Sequence, residues 1–203
     1  MLPATDRSCE HHAISDAALY WVSDEPLLRY LGVRPSQARF SLTVFRREQL
    51  RAQVEELRHE EGVEHRNRLG VILGNQSTEG STLTLTHTLW ALLNVLPARS
   101  AQRPHRHNSV ALDMAVEVAA PGQVYTLMGP ELDEDGWVKN PVRLDWEAGG
   151  VFVTPPGWWH SHHNDSDSDA WVFPMQDAGL YTYQRTLDIQ FAKDNGRMPQ
   201  HQT

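Results

Sequence analysis

The sequence predicts an all-β domain, an antiparallel sandwich or barrel behind a helical N-terminal extension, and three observations predict it. From Thr82 to Leu89 four threonines alternate with Leu83, Leu85, His87 and Leu89, and a period of two belongs to strands, whose successive side chains take opposite faces. Many short apolar runs follow, separated by Pro121-Gly122, Asp135-Gly136 and Gly149-Gly150, pairs that turn a chain. Helical spacing is confined to the residues before Gly62.

In chain order, residues 1–14 read as a polar tail. Residues 16–32 hold an amphipathic segment interrupted by Pro26 and ended by Gly32, which predicts two short helical pieces. Residues 40–45 alternate as a strand. Residues 46–60 place Leu50, Val54 and Leu57 at three-to-four spacing among strong helix formers, the best helix of the chain. After the threonine alternation, strands are expected at 90–96, 109–118, 124–128, 141–144, 151–154, 171–175 and 186–191. The expected organisation is a tail and helical extension at 1–62, one domain at 63–195, and a tail at 196–203.

A chain of 203 residues with 40% apolar content can bury one core. Its mean hydropathy of −0.51 is that of a soluble protein. The formal charge of −8 argues against nucleic-acid or anionic-membrane partners, which need basic surfaces. Cys9 is the only cysteine, so neither an internal disulfide nor a thiol metal site can form. The first ten residues lack an apolar core, and no run approaches the roughly 18 apolar residues of a membrane span. A cytoplasmic protein is expected.

Chemistry concentrates in two stretches, Pro104-His105-Arg106-His107 and Pro155-Pro156-Gly157-Trp158-Trp159-His160-Ser161-His162-His163-Asn164. On an extended strand, residues i and i+2 share a face, so His105 and His107 can aim two imidazoles at one point. A third imidazole from another strand completes a facial set that leaves metal positions open.

Counted from Gly149, the second stretch runs Gly, five residues, Pro155, one residue, Gly157, two residues, His160, three residues, Asn164. This resembles the second motif of the cupin superfamily at every fixed position, and 105–107 resembles the first. Ala111 and Leu112 stand where the first motif normally has its metal-binding glutamate. That loss, the proline-led His-Arg-His and the Trp-x-His-x-His of 158–162 look like the gentisate 1,2-dioxygenase branch, which includes salicylate and 1-hydroxy-2-naphthoate dioxygenases. The similarity covers roughly residues 66–190, strongest at 89–117 and 145–175. Members usually carry two cupin domains, and this chain has room for one.

The resemblance implies a double-stranded β-helix, or jelly roll, with iron(II) on His105, His107 and His160. It implies an aromatic substrate cleaved with O2, His162 helping to hold that substrate, and a homodimer. Three imidazoles also suit zinc, nickel, manganese or copper. One departure matters. Many members have a carboxylate-pairing arginine six residues beyond the second histidine, and here the place is Asp113. A carboxylate there repels a substrate carboxylate, so the expected substrate is a hydroxylated ring without one, or bearing an amine, and not gentisate itself.

Asp113 and Glu117 share strand parity with Ala111, making both candidate inward, substrate-side residues. Trp159 is the candidate pocket wall. Arg106, with Arg99 and Arg103, is a candidate substrate clamp. Asn164 reads as a turn cap or a site contact, His87 as a buried hydrogen-bonded histidine, and His163 as facing away. The readings are a ring-cleaving dioxygenase, a cupin isomerase, lyase or hydrolase that uses no oxygen, or a metal- or ligand-binding cupin without turnover.

Overall fold

The computed structural model of the chain describes residues 1–2, 10–63, 66 and 68–193. Cys9 and the tail expected from residue 196 lie outside them. The elements are α1 (Glu25–Tyr30), α2 (Arg47–Arg58), β1 (Leu69–Leu73), β2 (Trp90–Leu96), β3 (Ser100–Ala101), β4 (His105–His107), β5 (Ala111–Glu117), β6 (Val124–Gly129), β7 (Val142–Asp145), β8 (Val151–Thr154), β9 (Trp159–Asn164), β10 (Ala170–Gln176), α3 (Ala178–Gln184) and β11 (Ile189–Phe191). One sheet runs β1-β2-β10-β5-β8 and the other β11-β4-β9-β6-β7, with β3 also on β9. Every ladder is antiparallel. This is a two-sheet jelly roll, the predicted class.

Between the sheets, Leu96, Ala115, Val124, Met128, Trp146, Phe152, Ala170 and Val172 form one buried cluster. They come from alternate positions, as the strand period demands. A second cluster joins Val54 of α2 to Leu93, Val95 and Trp171 on the outer face of the first sheet. Burying Val54 completely contributes about 1.5–3 kcal/mol to holding that helix. Gly70 lets β1 lie tight on β2, because a Cβ there would meet Leu93 O at 2.6 Å.

Three predicted elements differ. Residues 82–89 form no strand. Local side-chain bonds hold the backbone there instead, Thr78 Oγ1 donating to Thr84 O at 2.5 Å and Thr84 Oγ1 to Thr86 O at 2.7 Å, and Leu83 takes a positive φ of 54°. Residues 40–45 are without a ladder partner among the described residues. The 16–32 segment yields one six-residue helix, with Pro26 in its first turn, where a missing N–H is harmless. The short β1 and β3, and α3 after Gln176, were not expected.

Candidate metal centre

His105 and His107 leave β4 on one face, and β9 lies beside them in a register that pairs His105 with His160. The three imidazoles converge. One ring nitrogen from each lies within 4.8 Å of the others, and all three residues are buried. Ring centroids stand 3.9 Å apart for His105 and His160, 5.0 Å for His107 and His160, and 5.7 Å for His105 and His107.

Hydrogen bonds orient two of the rings. His107 Nδ1 lies 2.8 Å from the Ser109 carbonyl, and His160 Nδ1 lies 3.1 Å from that of Trp158. A carbonyl only accepts, so each Nδ1 carries the proton and each Nε2 keeps its lone pair for a ligand bond. Burial holds His105, His107 and His160 below the ordinary histidine pKa, helped by the charge of Arg68 and, for His105 and His160, by neighbouring histidines, His162 and His107 among them; the carbonyl bonds oppose this at His107 and His160. Neutral imidazoles are the form a metal binds. The donor set fits a divalent transition metal, and no fourth protein carboxylate joins it among the described residues.

His162 follows two places after His160 on the same face, its ring centroid 5.9 Å from that of His160. It is enclosed, and its Nδ1 lies 2.8 Å from Thr126 Oγ1. The Trp146 indole N–H donates to that same oxygen at 2.8 Å, so the hydroxyl proton is free to point at His162 Nδ1. With Nδ1 accepting, Nε2 carries the ring proton.

Asp113 is enclosed on the inner face, accepting from the Thr154 hydroxyl at 2.8 Å. Burial pushes its carboxyl up to about 6, with Thr154 and the charge of Arg68 pulling the other way. Arg68, just before β1, reaches across to touch the His105 ring. Burial lowers its guanidinium to about 10 while Asp113 opposes the shift, so it stays charged at neutral pH. Tyr20, from the segment before α1, has an enclosed hydroxyl. Burial first, and Asp113 second, raise its pKa. No residue spacing marks Arg68 in the sequence, because tertiary contact alone brings it to His105.

The remaining candidates sit elsewhere. Arg106, between His105 and His107, and Trp159, one residue before His160, alternate with inward histidines and so take the outer face, where the guanidinium lies 5.0 Å from the indole centroid and bonds Gln190. Glu117 is corrected for a different reason. Trp171 pairs with Glu117 but Val172 with Ala115, a bulge that leaves Val116 unpaired and turns Glu117 outward to Arg47 and Arg51 of α2. Arg99 pairs with Asp167, and Arg103 donates to the carbonyls of Asp135 and Lys193. His87 is exposed and stacks on Phe40, rather than buried. His163 faces away and stacks on Tyr125 at 4.9 Å. Asn164 is a loop clamp, donating to the carbonyls of Leu96, Pro97 and Ser168 and accepting from Ser166.

The two-sheet arrangement superimposes on salicylate 1,2-dioxygenase from Pseudaminobacter salicylatoxidans with a TM-score of 0.61 at 21% identity, covering 86% of this chain and 49% of that one. Its adduct with gentisate gives a TM-score of 0.60 at 20% identity, covering 88% and 51%. The fold is a cupin. The chain spans about half the length of these solved structures. No family model matches the sequence, and no curated protein does. His105, His107 and His160 lie buried on β4 and β9, and no helix among the described residues is long and apolar enough to cross a membrane.

Proposed function

We propose that this cupin is a metal-dependent oxygenase that binds iron(II) on His105, His107 and His160 and cleaves a hydroxylated aromatic ring with O2. One observation carries the proposal: three buried imidazoles with ring nitrogens within 4.8 Å of one another, two with their Nε2 lone pairs preset by carbonyl bonds to Nδ1. The likeness in fold to a salicylate dioxygenase supports it. Zinc, nickel, manganese and copper satisfy the same donors, so the iron is argued from the reaction and not from the ligands.

When bound, iron supplies a centre that can coordinate a ring hydroxyl and O2 together and pass electrons between them. The protein holds the geometry, excludes water and supplies no negative ligand, which favours an anionic oxygen donor from substrate. His162, with its ring fixed by Thr126 and Trp146, presents Nε2–H to a substrate oxygen, orienting it and handing over or taking back a proton. The same reading takes the protein as a homodimer, and sedimentation at micromolar concentration checks it.

Two experiments follow. Anaerobic loading with iron(II), then oxygen-uptake assays over hydroxybenzoates, catechols, aminophenols and hydroquinones, should show uptake on at least one ring compound. No uptake on any of them transfers the protein to an isomerase, a lyase or a non-catalytic binding role. Thr126→Val should keep a full metal equivalent and lower kcat by about tenfold, because His162 loses the bond that sets its tautomer. Unchanged kcat in that variant would remove His162 from the proton path.

A further inference from the structure

A cavity of about 360 Å³ opens at the corner where the chain passes from β2 to β3, beside the C-terminal end of α2, and none of the three converging histidines lines it. Its walls are mainly apolar, from Val63, Leu69, Val95, Pro97 and Ala101. Two of its polar lining residues carry an enclosed atom with no hydrogen-bond partner among the described residues, Gln102 Oε1 and Arg58 Nε. Gln102 is only 6% exposed, so bulk water does not serve its oxygen. Arg58 Nε lies 3.1 Å from a Glu55 carboxylate oxygen but is not aligned to bond it. An enclosed acceptor and an enclosed donor left open around one cavity are uncommon. Water fills such a place poorly. Each molecule wants two to four polar partners, the space holds several molecules, and the apolar walls supply no partners.

We propose that this corner cavity is a second binding site, for a small neutral molecule with an apolar body and a head group that both donates and accepts, a primary amide or a hydroxyl. It stands apart from the metal reading and does not need it. The inventory of the lining selects the head group. Gln102 Oε1 can only accept, so the ligand must donate to it, and Arg58 Nε–H can only donate, so the ligand must also accept. Charge selects neutrality. Arg58 pairs with Asp169 and Glu55, and Arg66, also on the lining, pairs with Glu60, so three carboxylates already face two guanidiniums. No positive charge is left over for an anion, and a cation would lie against the arginines. The Ser100 hydroxyl is spent on the Pro97 carbonyl at 2.6 Å. The volume is at the small end for ligand pockets, which suits a single ring or a short chain. Gln102 N–H donates to the His162 carbonyl at 2.9 Å, and Ala101 pairs with His163 across β3 and β9. An occupant is therefore one hydrogen bond from the backbone that presents His162, without touching the imidazoles.

The test is titration calorimetry of the metal-free full chain with benzamide, which has no ring hydroxyl to offer a metal. The comparison ligands are N,N-dimethylbenzamide, which accepts but cannot donate, and benzoate, which is charged. Benzamide should bind saturably in the millimolar range expected of so small a ligand. It should bind at least about tenfold more tightly than either analogue, the scale of one unsatisfied buried group. Gln102→Leu should weaken benzamide about tenfold and so erase its advantage over the dimethyl analogue. Val63→Phe, which fills the cavity from the turn after α2, should abolish binding, and it decides the matter if Gln102→Leu does not fold. His160→Ala should bind benzamide as the wild type does. Absence of saturable binding would mean that the cavity holds water only and would overturn the site. So would a preference for benzoate, an affinity unmoved by both cavity variants, or loss of binding in His160→Ala. Neither metal nor oxygen uptake enters the readout, so failure here leaves the oxygenase reading standing, and failure of that reading leaves this site standing.

Discussion

His160→Ala is expected to reduce bound iron or zinc from one equivalent per chain to less than about a tenth, and to abolish oxygen uptake. Disturbing only the groups that orient a ligand typically lowers metal affinity 10–100-fold, and removing one of three ligands is a larger change. His160 also stands centrally, its ring 3.9 Å from His105 and 5.0 Å from His107. His163→Ala is the matched control, because it lies on the same strand but on the opposite face. It should keep its metal. The measurement is elemental analysis of both variants after loading and gel filtration, with circular dichroism to confirm that each is folded. A full equivalent retained by His160→Ala would show that the metal lies elsewhere.

The metal-free protein is expected to lose stability steeply as pH falls below about 6.5. His105, His107, His160 and His162 are all buried with pKa values below the ordinary histidine value, burial being the first cause in each case and Arg68 a further one. In the unfolded chain these rings take up protons near pH 6.5, whereas in the native protein they do not. The unfolded state then binds more protons, so acid favours it. A ring that stays neutral in the native protein removes at most about 1.4 kcal/mol per pH unit, and all four rings act in the same direction. Asp113 opposes this between about pH 4 and 6, since its raised carboxyl binds a proton natively before it does so when unfolded. One group cannot offset four. Against a total of about 5–15 kcal/mol, a loss of this sign should lower the urea midpoint of the apo protein measurably as the pH falls. Urea midpoints at pH 7.5, 6.5 and 5.5 check the slope, and a flat series would mean that the imidazoles are not held neutral.

The sequence made the strands legible wherever one face is buried and the other is not, as in β5 and β8, because the side-chain period is then written in residue type. It made the three converging histidines legible for the same reason, since i and i+2 share a face. The threonine alternation at 82–89 misled because threonine hydroxyls can satisfy backbone groups locally, and periodicity alone cannot tell a ladder from a self-bonded loop. Glu117 had the right parity and the wrong side, since a bulge one residue earlier shifts the count. Arg68 was beyond reach: its contact with His105 is made by the segment just ahead of β1, and it carries no spacing that reports it.

The pairing of His105 with His160 across β4 and β9 has an evolutionary consequence. Because the ligands are brought together by a ladder, their separation is inherited from backbone register and not from any individual side chain. Point substitutions around them can drift, as Arg106 and Trp159 on the opposite face are free to do. A single-residue insertion or deletion between Gly157 and His160 that shifts the ladder by one cannot be tolerated, for it would send His160 and His162 to the outer surface together. The transplantable unit of this chemistry is therefore a pair of strands with its register. Scanning β9 with one-residue insertions would map it as an abrupt block of inactive variants.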